Sequence, residues 1–506
     1  MKALDKNIVV AVIGAGAMGS GIAQIAAQSG HQVFLQDQRA GAAEQGKAGV
    51  AAQLQKRVDK GKMDAAELQA LLDRIHPVDS LGEVASAGLV IEAIIEDLSI
   101  KQQLLAQLEE LCEDDTILAT NTSSISVTAL AAKMRLPERL VGMHFFNPAP
   151  LMALVEVVSG LATSKAVADT IYATSIAWGK KPVYTTSTPG FIVNRVARPF
   201  YAEALRLLQE GAADAATIDA IVREAGGFRM GPFELMDLIG HDVNYAVTNS
   251  VFDAYYGDPR FQPSLIQKGL VDAGHLGRKS GRGFYNYAEA AEKPQPSTVT
   301  ASGEGDAVLV VEGDIGPASA LIDRLQACGI QVAQREGTGL LRFGEATLAL
   351  TDGRMATERA RDSGIRDLVL FDLALNYATA SRLALSVSLS ASDNARDDAI
   401  RLFQSAGISI SLIEDAPGMV VMRTLAMLAN EAADAVLQGV CSVADVNLAM
   451  CAGVNYPEGP LSWATRLGKG RIYQVLQHIQ ASYAEDRYRP SLLLRRDYYS
   501  PHSLIG

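Results

Sequence analysis

A chain of 506 residues exceeds what one hydrophobic core can serve and points to about three or four domains. With 48% hydrophobic and 20% charged residues it has the make-up of a folded soluble protein; no apolar run reaches the roughly 20 residues of a membrane span, so the cytosol is the expected location. A net charge of −12 speaks against nucleic acid or an anionic membrane as main partner, and Cys112, Cys328, Cys441 and Cys451, lacking CxxC spacing or histidine-rich company, offer neither a disulfide framework nor a metal site.

The chain opens as strand, glycine turn, helix and strand: NIVVAVIG, AGAMGSGIAQIAAQSG, HQVFLQD. The first apolar run ends in Gly14 without a cleavage-site pattern, so it reads as a strand and not a signal peptide. Gly14, Gly16 and Gly19 fit G-x-G-x-x-G, with Ala17 and Met18 opening the helix whose amides would meet a pyrophosphate. Asp37 at the end of the next strand is placed to accept from both ribose hydroxyls. An acid there favours NAD over NADP, although Arg39 two residues on would suit a 2′-phosphate.

A helical region is expected over 42–72, with Lys56, Arg57, Lys60 and Lys62 forming either a solvated face or contacts to a phosphorylated substrate. The apolar strand GLVIEAIIED leads to Glu96, and the helix after it carries Lys101. Strand TILATNTSS then ends with Asn121 and Ser123, which either cap the next helix or meet a ligand. In an open parallel sheet, ligands lie off the carboxyl ends of the strands, so these groups are expected to share one cleft.

Strand LVGMHFFNP brings His144 to the same edge, with Asn147 just beyond it as a candidate substrate contact. Glu156 follows twelve positions after the histidine (156 − 144 = 12). An imidazole takes a proton near neutral pH, and a carboxylate against its other nitrogen fixes the tautomer and stabilises the cation. The Phe, Pro, Met, Leu and Val residues around the pair read as buried, where a polar pair has to be internally satisfied. A core histidine with a hydrogen-bonded neighbour would look the same on this stretch alone.

VIGAGAMGSGIAQIAAQSGHQVFLQD, IEAIIEDLSIKQQL, ATNTSSISVTALA, HFFNPAPLMALVEVV and TPGFIVNRV, in that order, resemble the L-3-hydroxyacyl-CoA dehydrogenase family over about residues 7–287. The resemblance implies NAD as cofactor, His144 as catalytic base and Glu156 as its partner. It also implies Ser123 and Asn194 as holders of the substrate oxygen, and Asp37, Glu96 and Lys101 as cofactor-cleft residues.

Beyond Thr185, the segment STPGFIVNRVARPFYAEALRLLQEG reads as a long helix from about Ile192 with Asn194 in its first turn. APGMVVMRTLAMLANEAADAVLQG matches it at one offset: Pro189-Gly190 pairs with Pro417-Gly418, Arg195 with Arg423, Glu203 with Glu431, and Gly231-Pro232 with Gly459-Pro460 (417 − 189 = 228). A constant offset indicates an internal duplication. In the second copy the glycine motif is missing, Asn194 becomes Met422, and the places of His144 and Glu156 are expected to hold apolar or small residues.

The expected fold is therefore α/β plus α: a Rossmann-type doubly wound sheet over 1–187, an all-α domain over 188–290, a linker over 291–305, a degenerate second α/β domain over 306–415 and a second all-α domain over 416–506. The duplication is expected to serve either alongside dimerisation or in place of it, the second helical domain packing on the first as a partner subunit would. Within the family, this two-copy layout resembles members that handle 3-hydroxyadipyl-CoA in aromatic catabolism more than the one-copy members that handle 3-hydroxybutyryl-CoA. A dehydrogenase of free 3-hydroxy acids and a non-catalytic dinucleotide-binding protein are the alternatives.

Overall fold

Val10, Ala11, Val12 and Ile13 are all buried, as in a strand covered on both faces, and they form β1 (Val10–Ile13) at the heart of a sheet. The computed structural model describes residues 2–302 and 307–506. Its first sheet continues with β2 (Val33–Gln36), β3 (Ile75–Val78), β4 (Leu89–Glu92), β5 (Ile117–Thr120), β6 (Leu140–Phe145), β7 (Leu154–Ser159) and β8 (Lys181–Thr186). The spatial order is β3-β2-β1-β4-β5-β6-β7-β8. Pairing is parallel except between β6 and β7, which run antiparallel.

Alternation along β1 builds two cores. Val10 and Val12 pack with Ile22 and Ala26 of α1 (Ala17–Gln28), with Val50 and Leu54 of α2 (Ala42–Val58), and with Leu68 and Leu71 of α3 (Ala65–Leu72). Ala11 and Ile13 pack on the other face with Leu104 and Leu108 of α4 (Leu98–Leu111) and with Leu130 of α5 (Val127–Ala131). The helical region expected over 42–72 is broken at 59–64, where Gly61 takes φ +64°. Side-chain caps fix the starts of α4 (Asp97), α5 (Ser126) and α6 (Lys165–Ala177, Ser164). After β8 come the short α7 (Val193–Val196) and then α8 (Arg198–Gln209).

The chain divides into two compact units, Met1–Arg195 with Gln438–Val454, and Val196–Leu437 with Asn455–Gly506. In the first, the helix Val443–Val454 packs on β7 and β8, and Thr186 N donates to Val440 O at 3.0 Å. Asn194, which falls in the all-α segment expected over 188–290, belongs to this unit together with His144.

The second unit holds a mixed sheet of β9 (Leu309–Glu312), β10 (Val332–Arg335), β11 (Leu340–Phe343), β12 (Ala346–Leu350), β13 (Leu368–Phe371), β14 (Arg382–Val387) and β15 (Ser409–Leu412), in the order β10-β9-β11-β12-β13-β14-β15. Strands β10 and β11 were not evident from sequence; β10, VAQR, is an outer strand with mostly exposed side chains and so has no apolar signature. In the same unit α8 packs along the helix Val421–Leu437, and Arg423 Nε donates to Glu203 Oε2 at 2.7 Å with both side chains buried. Of the linker expected over 291–305, positions 303–305 lie outside the described residues, as does 306, where the second α/β segment is expected to begin. Before them Val299 N donates to Ile410 O at 2.9 Å, adding a bridge to β15.

Candidate active site

The glycine turn joins β1 to α1, and each of its three glycines meets a different demand. A Cβ on Gly14, at φ +102°, would lie 2.6 Å from Ala93 O, and one on Gly19 would lie 1.7 Å from Gly14 O. The fold itself therefore requires both. Gly16 has no neighbouring atom within 4 Å of such a Cβ, so its bare backbone serves whatever lies over the turn. Gly16 is also the N-cap of α1 and makes no side-chain cap, which leaves the first amides of the helix, at Ala17 and Met18, open to an anion.

Asp37 stands just past β2. Its Oδ2 accepts from Ala15 N at 2.9 Å, and its Oδ1 accepts from Arg39 N and Arg39 Nε, each at 3.0 Å. The Arg39 hydrogen bond, opposed by partial burial and helped by the two backbone amides, holds the carboxyl at about 2. Asp37 is thus a fixed anion at a cavity of about 800 Å³ that Gly14, Ile94, Ile100 and Gln107 also line. These features fit the adenosine half of a dinucleotide. Arg39 is turned onto the aspartate, which answers its suitability for a 2′-phosphate.

Glu96, Lys101, Asn121 and Ser123 do come together at the carboxyl ends of β4 and β5, though not all face the cleft. Lys101 is 1% exposed, and its Nζ lies 2.6 Å from Glu92 Oε1 and 3.2 Å from Glu96 Oε2. That corrects its expected place as a cofactor contact: the ammonium is buried and paired with Glu92 and with the partly exposed Glu96. Glu92, which no motif singled out, closes an apolar strand and also accepts from Thr120 Oγ1 at 2.7 Å. Glu96 Oε1 accepts from the Thr122 hydroxyl and from the amides of Ser123 and Ser124. Burial opposes the charge on Glu96, but the Thr122 hydrogen bond and Lys101 prevail and hold its pKa below the usual glutamate value. The loop carrying the exposed Ser123 is therefore set by Glu96. Asn121 is not a helix cap, since its Oδ1 accepts from Phe145 N at 2.8 Å and ties β5 to the residue after His144.

The antiparallel register of β6 and β7 sets His144 directly opposite Glu156, so the twelve-residue separation closes into a cross-strand pair. His144 Nδ1 lies 2.7 Å from Glu156 Oε2; the histidine is 5% exposed and the glutamate fully buried. Phe146 and Phe191 pack on the imidazole at centroid distances of 4.6 and 5.7 Å. Glu156 has a second duty that sequence did not disclose. Its Oε1 accepts from the amides of Ile192 and Val193, each at 3.0 Å, at the start of α7. The residue after those amides is Asn194, so one carboxylate fixes both the base and the backbone leading into Asn194.

Asn147 is exposed on the loop after β6, beside a cavity of about 400 Å³ walled by Gly16, Ser20 and Gln24 from α1 and its turn and by Gln45 and Gln53 of α2. Lys180, also absent from the sequence-based site, holds that loop: its buried Nζ donates to Ala149 O at 2.6 Å and Met152 O at 2.8 Å. Lys60 and Lys62 are exposed in the turn between α2 and α3. Among the described residues no group of three His, Cys, Asp or Glu side chains is arranged to hold a metal, and no helix is long and apolar enough to cross a membrane.

The sequence matches the family model "3-hydroxyacyl-CoA dehydrogenase, NAD binding domain" over residues 9–188. It matches the "3-hydroxyacyl-CoA dehydrogenase, C-terminal domain" over 190–287 and again over 418–501, and a "3-hydroxybutyryl-CoA dehydrogenase reduced Rossmann-fold domain" over 348–417. A 3-hydroxyadipyl-CoA dehydrogenase of Escherichia coli K12 is 45% identical over 487 residues, 96% of each chain. A 3-hydroxybutyryl-CoA dehydrogenase of Clostridioides difficile is 41% identical over 278 residues, 55% of this chain and 99% of that one. Among solved structures, a 3-hydroxybutyryl-CoA dehydrogenase of E. coli K12 superposes with a TM-score of 0.88 at 43% identity, covering 98% of both chains.

Proposed function

The chain belongs to the 3-hydroxyacyl-CoA dehydrogenase family of NAD-dependent enzymes, and from that premise we propose that it oxidises (S)-3-hydroxyadipyl-CoA to 3-oxoadipyl-CoA through the pair His144 and Glu156. The hydrogen-bonded pair at 2.7 Å carries this mechanism. With Nδ1–H donated to Glu156, the Nε2 lone pair of His144 is left to take the proton of the C3 hydroxyl. Bound NAD supplies the hydride acceptor for C3. Glu156 offsets the charge that appears on the buried imidazole, and the amides of Ile192 and Val193 keep the carboxylate in place as it does so. In the reverse direction His144 returns the proton.

Ser123 and Asn194 hold the substrate oxygen where negative charge gathers as the proton leaves, a contact of a type worth up to about 3–4 kcal/mol per donor. Gly14, Gly16, Ala17, Met18 and Gly19 take the pyrophosphate and Asp37 the ribose, while Asn121, Glu96 and, through Glu96, Lys101 shape the nicotinamide end. Asn147 meets the acyl thioester, and Lys60 and Lys62 meet the phosphates of coenzyme A.

The dicarboxylic substrate is supported by the nearly full-length relative of that name. The nearly full-length solved relative carries the four-carbon substrate in its name instead. Initial rates of NADH formation on 3-hydroxyadipyl-, 3-hydroxyhexanoyl- and 3-hydroxybutyryl-CoA separate the two. The highest kcat/KM is expected on the adipyl thioester. A higher value on the butyryl thioester would reassign the substrate, and turnover only on a free 3-hydroxy acid would reject thioesters altogether.

We also propose that the second half of the chain is a duplicated copy that has lost its chemistry. The shared offset supports this: β6, β7, α6 and β8 begin at Leu140, Leu154, Lys165 and Lys181, and β13, β14, the helix Asp393–Ser405 and β15 begin at Leu368, Arg382, Asp393 and Ser409, each 228 residues on (368 − 140 = 228). The paired matches to the C-terminal family model support it too. At this offset Asp372 stands where His144 does, against the expectation of an apolar or small residue, and Ala384 stands where Glu156 does. Asp372 Oδ2 accepts from the amides of Val420 and Val421, the counterparts of Ile192 and Val193. The helix-anchoring duty of Glu156 is thus kept by a different acid in the half where the base is gone. The packing of α8 along Val421–Leu437, with its buried Glu203–Arg423 pair, supports the view that the second helical segment covers the first as a partner subunit would.

A further inference from the structure

In the second unit a cavity of about 370 Å³ lies between α8, residues 261–267 and residues 483–487. Tyr201, Leu205, Phe261 and Leu265 give it apolar wall, and Arg198, Arg206 and Arg487 bring three guanidinium groups. Two acids, Glu210 and Glu485, also line it, and both are engaged. Glu485 Oε2 accepts from Arg206 Nη1 at 3.0 Å, and Glu210 Oε2 accepts from Arg423 Nη1 at 3.1 Å and from the Tyr483 hydroxyl at 2.7 Å.

Arg487 is held less completely. It is 4% exposed, and its Nη2 donates to Gln262 Oε1 at 3.1 Å. Its buried Nε, 3.9 Å from Glu485 Oε2, makes no hydrogen bond among the described residues. A buried N–H left in that state keeps its desolvation cost. Arg198, also buried, donates to Thr248 Oγ1 at 3.1 Å and lies 5.0 Å over the Tyr201 ring. Burial pulls both guanidinium groups below the usual arginine pKa. The Arg487 guanidinium with its orphaned Nε, beside an apolar wall in a cavity of ligand size that Arg198 also lines, forms an environment that a short-chain carboxylate would complete.

We propose that this cavity binds a small amphipathic carboxylate, its carboxylate between Arg198 and Arg487 and its chain along Leu205, Phe261 and Leu265, as a ligand site that the chemistry of His144 does not use. The test is hydrogen–deuterium exchange of the full-length protein, saturated with NAD, in the presence of hexanoate, its uncharged isostere hexanamide, or inorganic phosphate. Hexanoate is expected to protect residues 259–267 and 483–489, with much weaker protection from hexanamide or phosphate. In Arg487→Met, calorimetric hexanoate binding is expected to weaken at least tenfold while thioester turnover stays as in the wild type. Equal protection by hexanamide or by phosphate, protection confined to other segments, or unchanged affinity in Arg487→Met would overturn it. Should Arg487→Met fail to fold, the wild-type comparison of the three probes decides alone.

Discussion

Glu156 reaches His144 with one carboxylate oxygen, at 2.7 Å, and the first amides of α7 with the other, at 3.0 Å. Two substitutions separate these duties. Glu156→Gln retains an acceptor for Ile192 and Val193 but removes the negative charge facing the imidazole, so kcat is expected to fall by about 10²–10⁴-fold with little change in Tm. Glu156→Ala also strands two buried amides, each costing about 1–3 kcal/mol, and is expected to lower Tm by several degrees on top of the same loss of rate. Thermal melts and steady-state kinetics of the two variants check this; equal Tm values would contradict the anchoring role.

In the proposed site Asp37 sets cofactor affinity. Asp37→Asn replaces an anion held by Arg39 and the Ala15 amide, and NAD is expected to bind roughly tenfold to hundredfold more weakly, as for loss of a hydrogen bond to a charged group. The carboxyl titrates at about 2 in the folded protein against about 3.9 in an unfolded chain. A depressed pKa stabilises fully above the unfolded value and ceases to do so as pH falls through the folded one. The Tm gap between wild type and Asp37→Asn is therefore expected to be full at pH 6 and to close between about pH 4 and 2, wherever both remain folded. A gap that widens on acidification would contradict the ion pair.

Lys101 and Lys60 make a contrasting pair. Lys101→Met leaves the buried Glu92 without its cation, removes the partner of the partly exposed Glu96, and is expected to cost about 3–5 kcal/mol, read by urea unfolding. Lys60, in the exposed turn between α2 and α3, should change stability by less than about 0.5 kcal/mol in Lys60→Met while raising KM for the thioester several-fold. An unchanged KM would remove Lys60 from the coenzyme A contacts.

Lys180 is a positioning residue. Its ammonium fastens Ala149 and Met152 on the loop beside Asn147 and Pro150. Lys180→Met is expected to raise KM for the thioester several-fold and to lower stability by about 1–3 kcal/mol, with the Kd for NAD unchanged. Fluorescence titration of NAD beside thioester kinetics checks the split; parallel losses in both would point to general unfolding.

The parts of the site readable in sequence are those whose partners lie close along the chain. Gly14, Gly16 and Gly19 fall inside one strand–turn–helix unit, and His144 and Glu156 sit on adjacent strands that a short loop joins in register. What escaped depends on backbone brought from afar. The amides of Ile192 and Val193 lie 36 and 37 residues beyond Glu156, and no side-chain pattern marks an amide that needs an acceptor. The family resemblance places Lys101 in the cleft, whereas its burial against Glu92 becomes visible only once α4 is laid over β4 and β5. Among the strands, β10 escaped because an outer strand with exposed polar residues has no hydrophobic period to detect.

The most direct measurement is the initial rate of NADH formation from 3-hydroxyadipyl-CoA by His144→Gln, beside its Kd for NAD. A base that takes the C3 hydroxyl proton predicts a rate lower by about 10²–10⁴-fold with wild-type NAD affinity. A rate within a fewfold of wild type would contradict it and leave His144 as a buried structural partner of Glu156.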